Sequence, residues 1–298
     1  MSTMVHYQQC PICSSSDLRE VVRVRDFTVS GETFWILECG QCGLRITQDV
    51  PGQEEIGRYY QSEDYISHSD TSKGLVNAAY QLVRRRSLIQ KRRLVTRLTG
   101  RRQGSLLDYG SGTGAFLHAM EQHGWQISGL EPDPGARRRA AELYGLALQE
   151  PAALNSLPDG SQDAVTLWHV LEHVHDLKGC LRGLGRVLKR EGVLVIAVPN
   201  YQCLDAGVYG SCWAGYDVPR HLYHFSPGAM EQLLKAHGFT LAGMMPMWFD
   251  SFYISLLSSR YRGDRLGWIR ACWTGLRSNL HALRNRQYCS SLIYVARK

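Results

Sequence analysis

Leu106-Leu-Asp108-Tyr-Gly110-Ser-Gly112-Thr-Gly114-Ala-Phe116 is the stretch of sequence from which the fold can be inferred. An apolar run of strand character leads into three glycines at alternate positions, and an apolar segment suited to a helix follows them. Glycines between a strand and the first turn of a helix let the backbone approach a ligand closely and present unpaired N–H groups to it. The stretch therefore predicts a strand, a ligand-binding loop and a helix, in that order.

Downstream of this loop, short apolar runs alternate with helical segments. We predict strands at residues 106–109, 126–130, 163–168 and 193–198, separated by helices at residues 115–123, 136–144 and 177–188. This alternation is typical of a parallel sheet built from βαβ units. A further helix is predicted to begin at the N-cap Ser226 and the first-turn Pro227, and a last strand at residues 290–296.

An acidic residue, Glu131, ends the second predicted strand, 19 residues after Gly112. A carboxylate in this position can accept hydrogen bonds from both ribose hydroxyls of a nucleoside. Taken as Gly110-x-Gly112-x-x-Ala115, the loop also satisfies the dinucleotide fingerprint, so a nicotinamide-dependent dehydrogenase is an alternative at this point. The loop and Glu131 together predict a nucleoside cofactor without indicating which one.

Two further stretches distinguish between these cofactors. They read Asp163-Ala-Val-Thr-Leu-Trp-His169-Val-Leu-Glu172-His173-Val and Gly192-Val-Leu-Val-Ile-Ala-Val-Pro199-Asn200. With the glycine loop, they resemble the class I methyltransferases that use S-adenosylmethionine, over roughly residues 104–245. The resemblance implies an α/β fold with a Rossmann-like sheet of seven strands, and it implies an enzyme that transfers a methyl group.

The same resemblance assigns roles to residues of the cofactor site. Glu131 is implied to bind the ribose hydroxyls, and His169 is implied to lie next to the sulfonium. The residues implied to contact the methionine part are Asp108, Gly110, Ser111 and Gly112. No adenine-side residue is assigned, because residues 149–151 depart from the family's common Asp-Ala pattern.

A narrower resemblance lies in the stretch Trp213-Ala-Gly-Tyr-Asp-Val-Pro-Arg-His221-Leu-Tyr-His224-Phe-Ser226. It is similar to a bacterial subgroup (methyltransferase domain family 23-like) that often bears an N-terminal cysteine ribbon. The subgroup includes enzymes of secondary metabolism and of sugar and quinone methylation. Further stretches that fit the subgroup are Tyr60, Tyr65-Ile-Ser-His68, Asp250-Ser-Phe-Tyr253 and Ser290-Ser-Leu-Ile-Tyr294.

Histidines supply the candidate catalytic bases. Residues 213–225 follow strand five of such a sheet and so lie over the carboxyl ends of the strands, where α/β proteins bind ligands. An alcohol or phenol acceptor must lose a proton, and histidine suits this task because its ordinary pKa lies near neutrality. We rank His221 first, followed by His169 and His224.

Two neighbouring residues have other interpretations. Arg220 is either a clamp on a carboxylate such as Asp217 or an anchor for an anionic substrate. His173 is interpreted as a helix or core contact rather than a catalytic group.

The first 50 residues contain two Cys-x-x-Cys pairs, Cys10 with Cys13 and Cys39 with Cys42. Four thiolates on two tight turns supply the closed tetrahedral shell that suits a structural Zn²⁺. The odd count of 9 cysteines and the lack of a charged and apolar leader in residues 1–9 favour a cytoplasmic location. In such a reducing compartment, cysteine pairs favour metal over disulfide. The sequence thus predicts a zinc ribbon, which by itself does not indicate a function.

The formal net charge of +7 is unevenly distributed. Residues 71–107 hold ten Lys or Arg and no acid, residues 257–298 hold nine against one Asp, and the rest of the chain is net acidic. We interpret the first segment as the solvated face of an amphipathic helix, in preference to an RNA or phosphate footprint. No apolar run approaches the roughly 20 residues that a membrane helix needs.

These observations predict three parts of the chain. A zinc ribbon spans residues 1–50, a helical lid or linker spans 51–103, and a class I methyltransferase domain with C-terminal lid elements spans 104–298. The favoured function is S-adenosylmethionine-dependent methylation of oxygen, carbon or nitrogen on a small molecule. The alternatives are an RNA or protein methyltransferase that docks through the ribbon and the basic helix, and a cofactor-binding module without turnover. We expect a small-molecule partner, with nucleic acid less favoured and no membrane; the sequence indicates neither the substrate nor the oligomeric state.

Overall fold

The N-terminal part of the protein is a small unit of antiparallel strands. The computed structural model describes residues 4–61 and 75–298, with side chains described for 4–61 and 85–298. The strands are β1 (Met4–Val5), β2 (Leu18–Arg25), β3 (Thr33–Cys39), β4 (Arg45–Thr47) and β5 (Val50–Pro51). β2, β3 and β4 pair in that order, and β1 pairs with β5. The predicted stretch at residues 65–68 and the part of the predicted lid at residues 62–74 lie outside the described residues.

A mostly parallel sheet of six strands forms the centre of the protein. Its strands in chain order are β6 (Ser105–Tyr109), β7 (Gln126–Leu130), β8 (Gln162–Trp168), β9 (Leu188–Pro199), β11 (Thr240–Pro246) and β12 (Ser291–Arg297). Across the sheet the order is β11-β12-β9-β8-β6-β7, and the last four strands in this order are parallel to one another. β8 is buried at six of its seven residues, although Gln162, Asp163 and Thr166 are polar, and β9 is both apolar and buried over residues 193–199. The predicted α/β fold is confirmed.

Among the residues that the structure describes, this sheet has six strands where seven are expected. At the edge next to β7, Leu130 makes a single parallel bridge with Gln149. Pro151 then begins a short 3₁₀ helix, Pro151–Ser156. Proline lacks the N–H that a continuing ladder needs, so pairing at this edge stops after one bridge.

Eight α-helices are found among the described residues. They are α1 (Leu75–Thr99), α2 (Ala115–Glu121), α3 (Pro134–Tyr144), α4 (Leu177–Val187), α5 (Leu204–Tyr209), α6 (Pro227–Ala236), α7 (Asp250–Tyr261) and α8 (Gly267–Arg284). As predicted, Ser226 caps α6 by accepting a hydrogen bond from the Ala229 N–H. None of the described helices combines the length and the apolar character needed to cross a bilayer.

The N-terminal unit and the central sheet share one core. A two-residue strand, β10 (Tyr223–His224), pairs with β4 and so extends the N-terminal sheet with residues that follow β9 in the chain. Leu44 and Ile46 are fully buried and belong to the same apolar cluster as Leu222 and Phe225. The N-terminal unit is therefore packed directly on the segment that carries the candidate histidines.

The C-terminal helices cover one side of the molecule near the carboxyl ends of the strands. α7 and α8 pack closely because small residues lie between them. At Gly275, for example, a Cβ would come within 2.7 Å of the Phe252 ring. This packing fixes the first turn of α7, which begins at Asp250, close to the end of β8.

Candidate active site

The glycine loop between β6 and α2 has the backbone that a ligand-binding loop requires. Gly110, Gly112 and Gly114 have φ values of 79°, 54° and 78°, in the left-handed region that favours glycine. A Cβ at Gly110 would lie 2.3 Å from a methyl group of Val170, whereas a Cβ at Gly112 would meet nothing within 4 Å. The loop is thus closely packed behind Gly110 and open in front of Gly112.

Glu131 lies directly beside this loop. Its carboxylate accepts hydrogen bonds from the backbone N–H of Gly112, at 2.7 Å, and from that of Asp133, at 2.9 Å. Burial raises the pKa of Glu131, and these two N–H donors act in the opposite direction. The carboxylate is therefore held at the tip of β7, where the sequence analysis places the ribose-binding acid.

Asp108 lies at the base of the site and is only 2% exposed. The Thr166 hydroxyl donates to its carboxylate at 2.5 Å from the neighbouring strand β8. Burial raises the pKa of Asp108 to about 7, although the hydrogen bond from Thr166 and the positive charge of Lys91 oppose this rise. The Lys91 ammonium lies over the Trp168 ring, 4.4 Å from its centre.

A cavity of about 710 Å³ opens at the carboxyl edge of the sheet. It lies between the N-terminal unit, the segment of residues 213–221 and α7. His169, His173, His221, Asp217 and Asp250 are among the residues that line it. This volume falls within the range of small-molecule sites.

His169, which follows β8, has an unusual backbone and two acidic neighbours. Its φ of 58° is rare for a residue other than glycine. Its Nε2 lies 3.0 Å from the Asp250 carboxylate and its Nδ1 lies 3.5 Å from that of Glu172. Burial alone lowers the pKa of His169, but the two carboxylates outweigh burial and raise this pKa to about 10. An imidazolium has no lone pair, so this environment argues against the predicted role of His169 as a base.

His221 lines the cavity and has one ring nitrogen fixed as a donor. Its Nδ1 lies 2.9 Å from the Gly215 carbonyl oxygen, which can only accept a hydrogen bond, so Nδ1 carries the proton. In the neutral ring, Nε2 then keeps its lone pair. The nearest acidic group recorded for Nε2 is Asp217, at 4.0 Å.

His224 lies deeper than the other two predicted bases. It is 3% exposed, its Nε2 is 3.0 Å from the Thr47 hydroxyl, and burial lowers its pKa well below the ordinary value. It is not among the described residues that line the cavity. Its position at the β4–β10 pair favours a structural role.

Sequence reasoning missed the contributions of His173, Glu172 and Asp250 to this site. His173 lines the cavity, and its Nδ1 lies 3.0 Å from the Arg220 carbonyl oxygen. Glu172 lies behind it, only 1% exposed. Glu172 and His173 belong to the stretch that carries the family resemblance, and Asp250 begins one of the stretches that fit the subgroup. Neither stretch reveals that Asp250 contacts His169, 81 positions away.

Arg220 is a structural clamp, which settles the two interpretations offered for it. It is 1% exposed and binds both carboxylate oxygens of Asp217, at 2.7 and 3.0 Å. It also donates to Asp26, at 3.0 Å, and to the Tyr59 carbonyl oxygen, at 2.8 Å. The guanidinium thus joins the N-terminal unit to the loop that carries His221.

The four N-terminal cysteines meet as the sequence predicts. The sulfur atoms of Cys10, Cys13, Cys39 and Cys42 all lie within 4.8 Å of one another. The Cys10–Cys42 and Cys13–Cys39 sulfur distances are 3.4 and 3.5 Å. A tetrahedral metal at about 2.3 Å from each sulfur requires separations of about 3.8 Å, so the donor set fits such an ion after a small adjustment.

The chain belongs to a family of methyltransferase domains. The family profile, described as "Methyltransferase domain", matches residues 81–242, more than half of the chain. This match covers the glycine loop, Glu131 and the three candidate histidines. It confirms the resemblance to class I methyltransferases, whereas membership of the zinc-ribbon subgroup stays a prediction.

Curated relatives and a solved structure are similar to parts of the chain. It is 30% identical over 130 residues to a ubiquinone biosynthesis O-methyltransferase of Xanthomonas oryzae pv. oryzae, covering 40% of this chain and 54% of that protein. It is 27% identical over 152 residues to a demethylmenaquinone methyltransferase of Tropheryma whipplei, covering 49% of this chain and 64% of that protein. A Galdieria sulphuraria protein, provisionally described as a sarcosine dimethylglycine methyltransferase, has a TM-score of 0.50 at 18% identity, covering 73% of this chain and 86% of its own. The chain thus spans less than two thirds of either curated relative, and the structural likeness concerns the fold.

Proposed function

We propose that the protein is an S-adenosylmethionine-dependent methyltransferase that acts on a small molecule. The observation that carries this proposal is the cavity of about 710 Å³ at the carboxyl edge of the sheet. It adjoins the glycine loop, because His169 lines the cavity while its neighbour Val170 packs against Gly110. Membership of the methyltransferase family supports the reaction, and a volume of this size supports a small acceptor rather than a macromolecule.

The residues present fit the proposed cofactor. Gly112 leaves open space where a Cβ would stand, and Glu131 is held at the edge of that space. Asp108, Gly110 and Ser111 lie on the side proposed for the methionine part, and Glu131 on the side proposed for the ribose. S-adenosylmethionine, when bound, supplies a methyl carbon attached to a sulfonium.

His169 stays the residue proposed to lie beside that sulfonium. The two carboxylates that flank it, Glu172 and Asp250, offset its positive charge. The site can therefore accept a second cationic group without a net repulsive field.

The cavity wall favours an aromatic acceptor. The rings of Phe27 and Tyr261 both line the cavity and stack on each other, with centres 4.8 Å apart and planes at 8°. Tyr253 adds a third aromatic ring, and Asp217 and Arg260 supply polar groups. An aromatic hydroxyl compound, such as a quinone-type ring, combines the flat apolar surface and the polar group that this wall would bind.

His221 is the predicted base whose position suits contact with an acceptor. The lone pair on its Nε2 can accept a proton or can bind a metal cation. Glu172 and His173 lie beside it. If the acceptor is a hydroxyl, His221→Ala removes this lone pair and should lower kcat by about 10²–10⁴-fold.

We also propose that Cys10, Cys13, Cys39 and Cys42 hold a structural Zn²⁺. The closed set of four sulfurs leaves no position for a substrate, so the ion would stabilise the β3–β4 region rather than take part in chemistry.

Methyl transfer can be tested before the acceptor is identified. The protein is incubated with S-adenosylmethionine labelled in its methyl group, and with either the dialysable or the macromolecular fraction of a bacterial extract. We expect release of S-adenosylhomocysteine, and label in a new compound, with the dialysable fraction only. Label in RNA or protein would contradict the small-molecule assignment, and no release with any fraction would contradict turnover.

A further inference from the structure

Glu172, His173 and His221 form a second cluster of groups that can bind a metal ion. One carboxylate oxygen of Glu172 and one ring nitrogen of each histidine lie within 4.8 Å of one another. The two imidazole rings meet edge to face, with centres 4.6 Å apart and planes at 77°. Two backbone-directed hydrogen bonds hold the parts together: the Leu222 N–H donates to the Glu172 carbonyl oxygen, and His173 bonds to the Arg220 carbonyl oxygen.

Backbone carbonyl groups fix the tautomers of both histidines. Nδ1 of His173 lies 3.0 Å from the Arg220 oxygen, and Nδ1 of His221 lies 2.9 Å from the Gly215 oxygen. The Tyr60 hydroxyl lies 3.0 Å from the same nitrogen of His173 and can accept from it as a second partner. A carbonyl oxygen only accepts, so each Nδ1 carries the proton and each neutral ring has its lone pair on Nε2. Histidines that bind metals through one nitrogen characteristically donate from the other in this way.

Glu172 has the properties expected of the third ligand. Its side chain is 1% exposed, and neither of its carboxylate oxygens accepts a hydrogen bond from the described residues. Its ion-pair contact with His169 Nδ1, at 3.5 Å, exceeds the length of a hydrogen bond to a charged group. A buried carboxylate whose recorded partner is this long ion-pair contact is incompletely satisfied, and a metal ion would bind the oxygen that His169 does not reach.

We propose that Glu172, His173 and His221 bind a divalent transition metal ion at the wall of the cavity. Two imidazoles and one carboxylate are a ligand set of catalytic Zn²⁺ sites, in which further positions are open to water or substrate. Because His173 and His221 line the cavity while Glu172 lies behind them, the open positions face the cavity. Zn²⁺ is the expected occupant, since this reaction calls for a Lewis acid without redox change.

The ion would give the cavity a means of activating an acceptor hydroxyl, and this role rests on the proposed methyltransferase function. An oxygen bound to the ion loses its proton more readily, the proton passes to water, and the electron pair stays on the oxygen. The Nε2 of His221 would then serve as a ligand rather than as the base that the sequence analysis predicts.

Metal content tests the site without any knowledge of the substrate. The full-length protein is loaded with Zn²⁺, desalted and analysed by native and elemental mass spectrometry. We expect two ions per chain, one at the four cysteines and one at this cluster. His221→Ala and Glu172→Ala should each hold one ion. Their affinity for the second ion should fall by more than about 10–100-fold, which is the cost of losing a group that only orients a metal ligand. The matched control is His175→Gln, which removes a nearby histidine that bonds to the Pro51 carbonyl oxygen and should still hold two ions.

Cobalt spectroscopy keeps the test decisive if the variants fail to fold. Co²⁺ at the cysteine cluster gives thiolate-to-cobalt charge-transfer absorption, whereas Co²⁺ bound by nitrogen and oxygen gives d–d bands only. Wild-type protein should show both populations at saturation. Thiolate-bound cobalt alone, or a single ion that is retained in His221→Ala and lost in Cys39→Ser, would overturn the proposal.

Binding of S-adenosylhomocysteine in the same samples separates this inference from the proposed function. A wild-type chain that binds S-adenosylhomocysteine but takes up no ion at the cluster would contradict the metal site alone. A chain that takes up the ion but does not bind S-adenosylhomocysteine would contradict the methyltransferase function and leave the metal site standing.

Discussion

Asp108 illustrates how the surroundings of a single residue change its chemistry. Its type and position follow from the sequence motif, but its ionisation depends on its burial, on the hydrogen bond from Thr166 and on the positive charge of Lys91. These partners come from a different strand and from the helix α1, so the motif alone does not reveal them. Burial is the dominant effect, and it raises the pKa of Asp108 from 3.8 to about 7.

This shift predicts a specific pH dependence of stability. For a group whose pKa is raised on folding, the favourable contribution is complete below the unfolded pKa and is lost as the pH rises through the folded value. The free energy of unfolding of the wild type, measured relative to Asp108→Asn, should therefore fall between about pH 4 and pH 7 and change little above that range. Urea unfolding across this interval measures the difference, and Glu142→Gln, at an exposed position, is the control. A constant offset between wild type and Asp108→Asn would contradict the raised pKa.

The local residues of the site were predictable from the sequence and its distant contacts were not. The glycine loop and Glu131 follow from a short motif because strand, turn and helix are consecutive in the chain. His169 was predicted as a base, yet Asp250, which holds it in its charged form, lies 81 positions away. His173 was interpreted as a packing residue because nothing in its local sequence shows that His221 lies beside it.

At the scale of elements, the pairing of β4 with β10 links the cysteine cluster to the candidate site. Thr47 on β4 donates through its hydroxyl to the His221 carbonyl oxygen at 2.7 Å, and its N–H donates to the Leu222 carbonyl oxygen at 3.0 Å. β3, which carries Cys39, pairs with β4 on its other side. A change at the cysteines can therefore reach His221 through two neighbouring strands.

Cys39→Ser tests this link. We expect loss of the Zn²⁺, a marked fall in the free energy of unfolding, and weaker binding of a second metal ion at His221, because structural zinc contributes directly to folding. Affinity for S-adenosylhomocysteine should change little, since the glycine loop and Glu131 belong to β6 and β7. Metal analysis, thermal unfolding and calorimetry measure the three effects, with the exposed Cys272→Ser as control. Wild-type protein without zinc at the cysteines would contradict the proposed ion.

The elements that the sequence predicted well are those with strong local signals. The part of β9 at residues 193–199 is buried and apolar throughout, and Ser226 with Pro227 marks the start of α6. β10 has only two residues and forms because β4 lies next to it, so the local sequence does not predict it. The seventh strand was expected from the family resemblance, but pairing at that edge is limited to one bridge before Pro151.

At the scale of the whole molecule, Arg220 joins the N-terminal unit to the segment that carries His221. The guanidinium is buried, and its recorded partners include Asp26 and Tyr59 on one side and Asp217 on the other. Removal of a buried partner leaves uncompensated carboxylates, which is far more costly than loss of an exposed ion pair.

Arg220→Ala should therefore lower the free energy of unfolding by about 3–5 kcal/mol. The matched control is Arg19→Ala, which breaks an exposed pair with Asp17 and should have little effect. Urea unfolding of the two variants and the wild type gives the comparison. Similar small losses in both variants would show that Arg220 does not join the two parts of the molecule.

Calorimetric titration with S-adenosylhomocysteine tests the central claim most directly, because it needs no substrate. We expect saturable binding to the wild type, no binding of NAD, and an affinity lower by about 1.5–3 kcal/mol in Glu131→Ala, the scale of hydrogen bonds to a charged group. Glu121→Ala, at an exposed position at the end of α2, should bind as the wild type does. Absence of S-adenosylhomocysteine binding in folded wild-type protein, or tight binding of NAD in its place, would contradict the account.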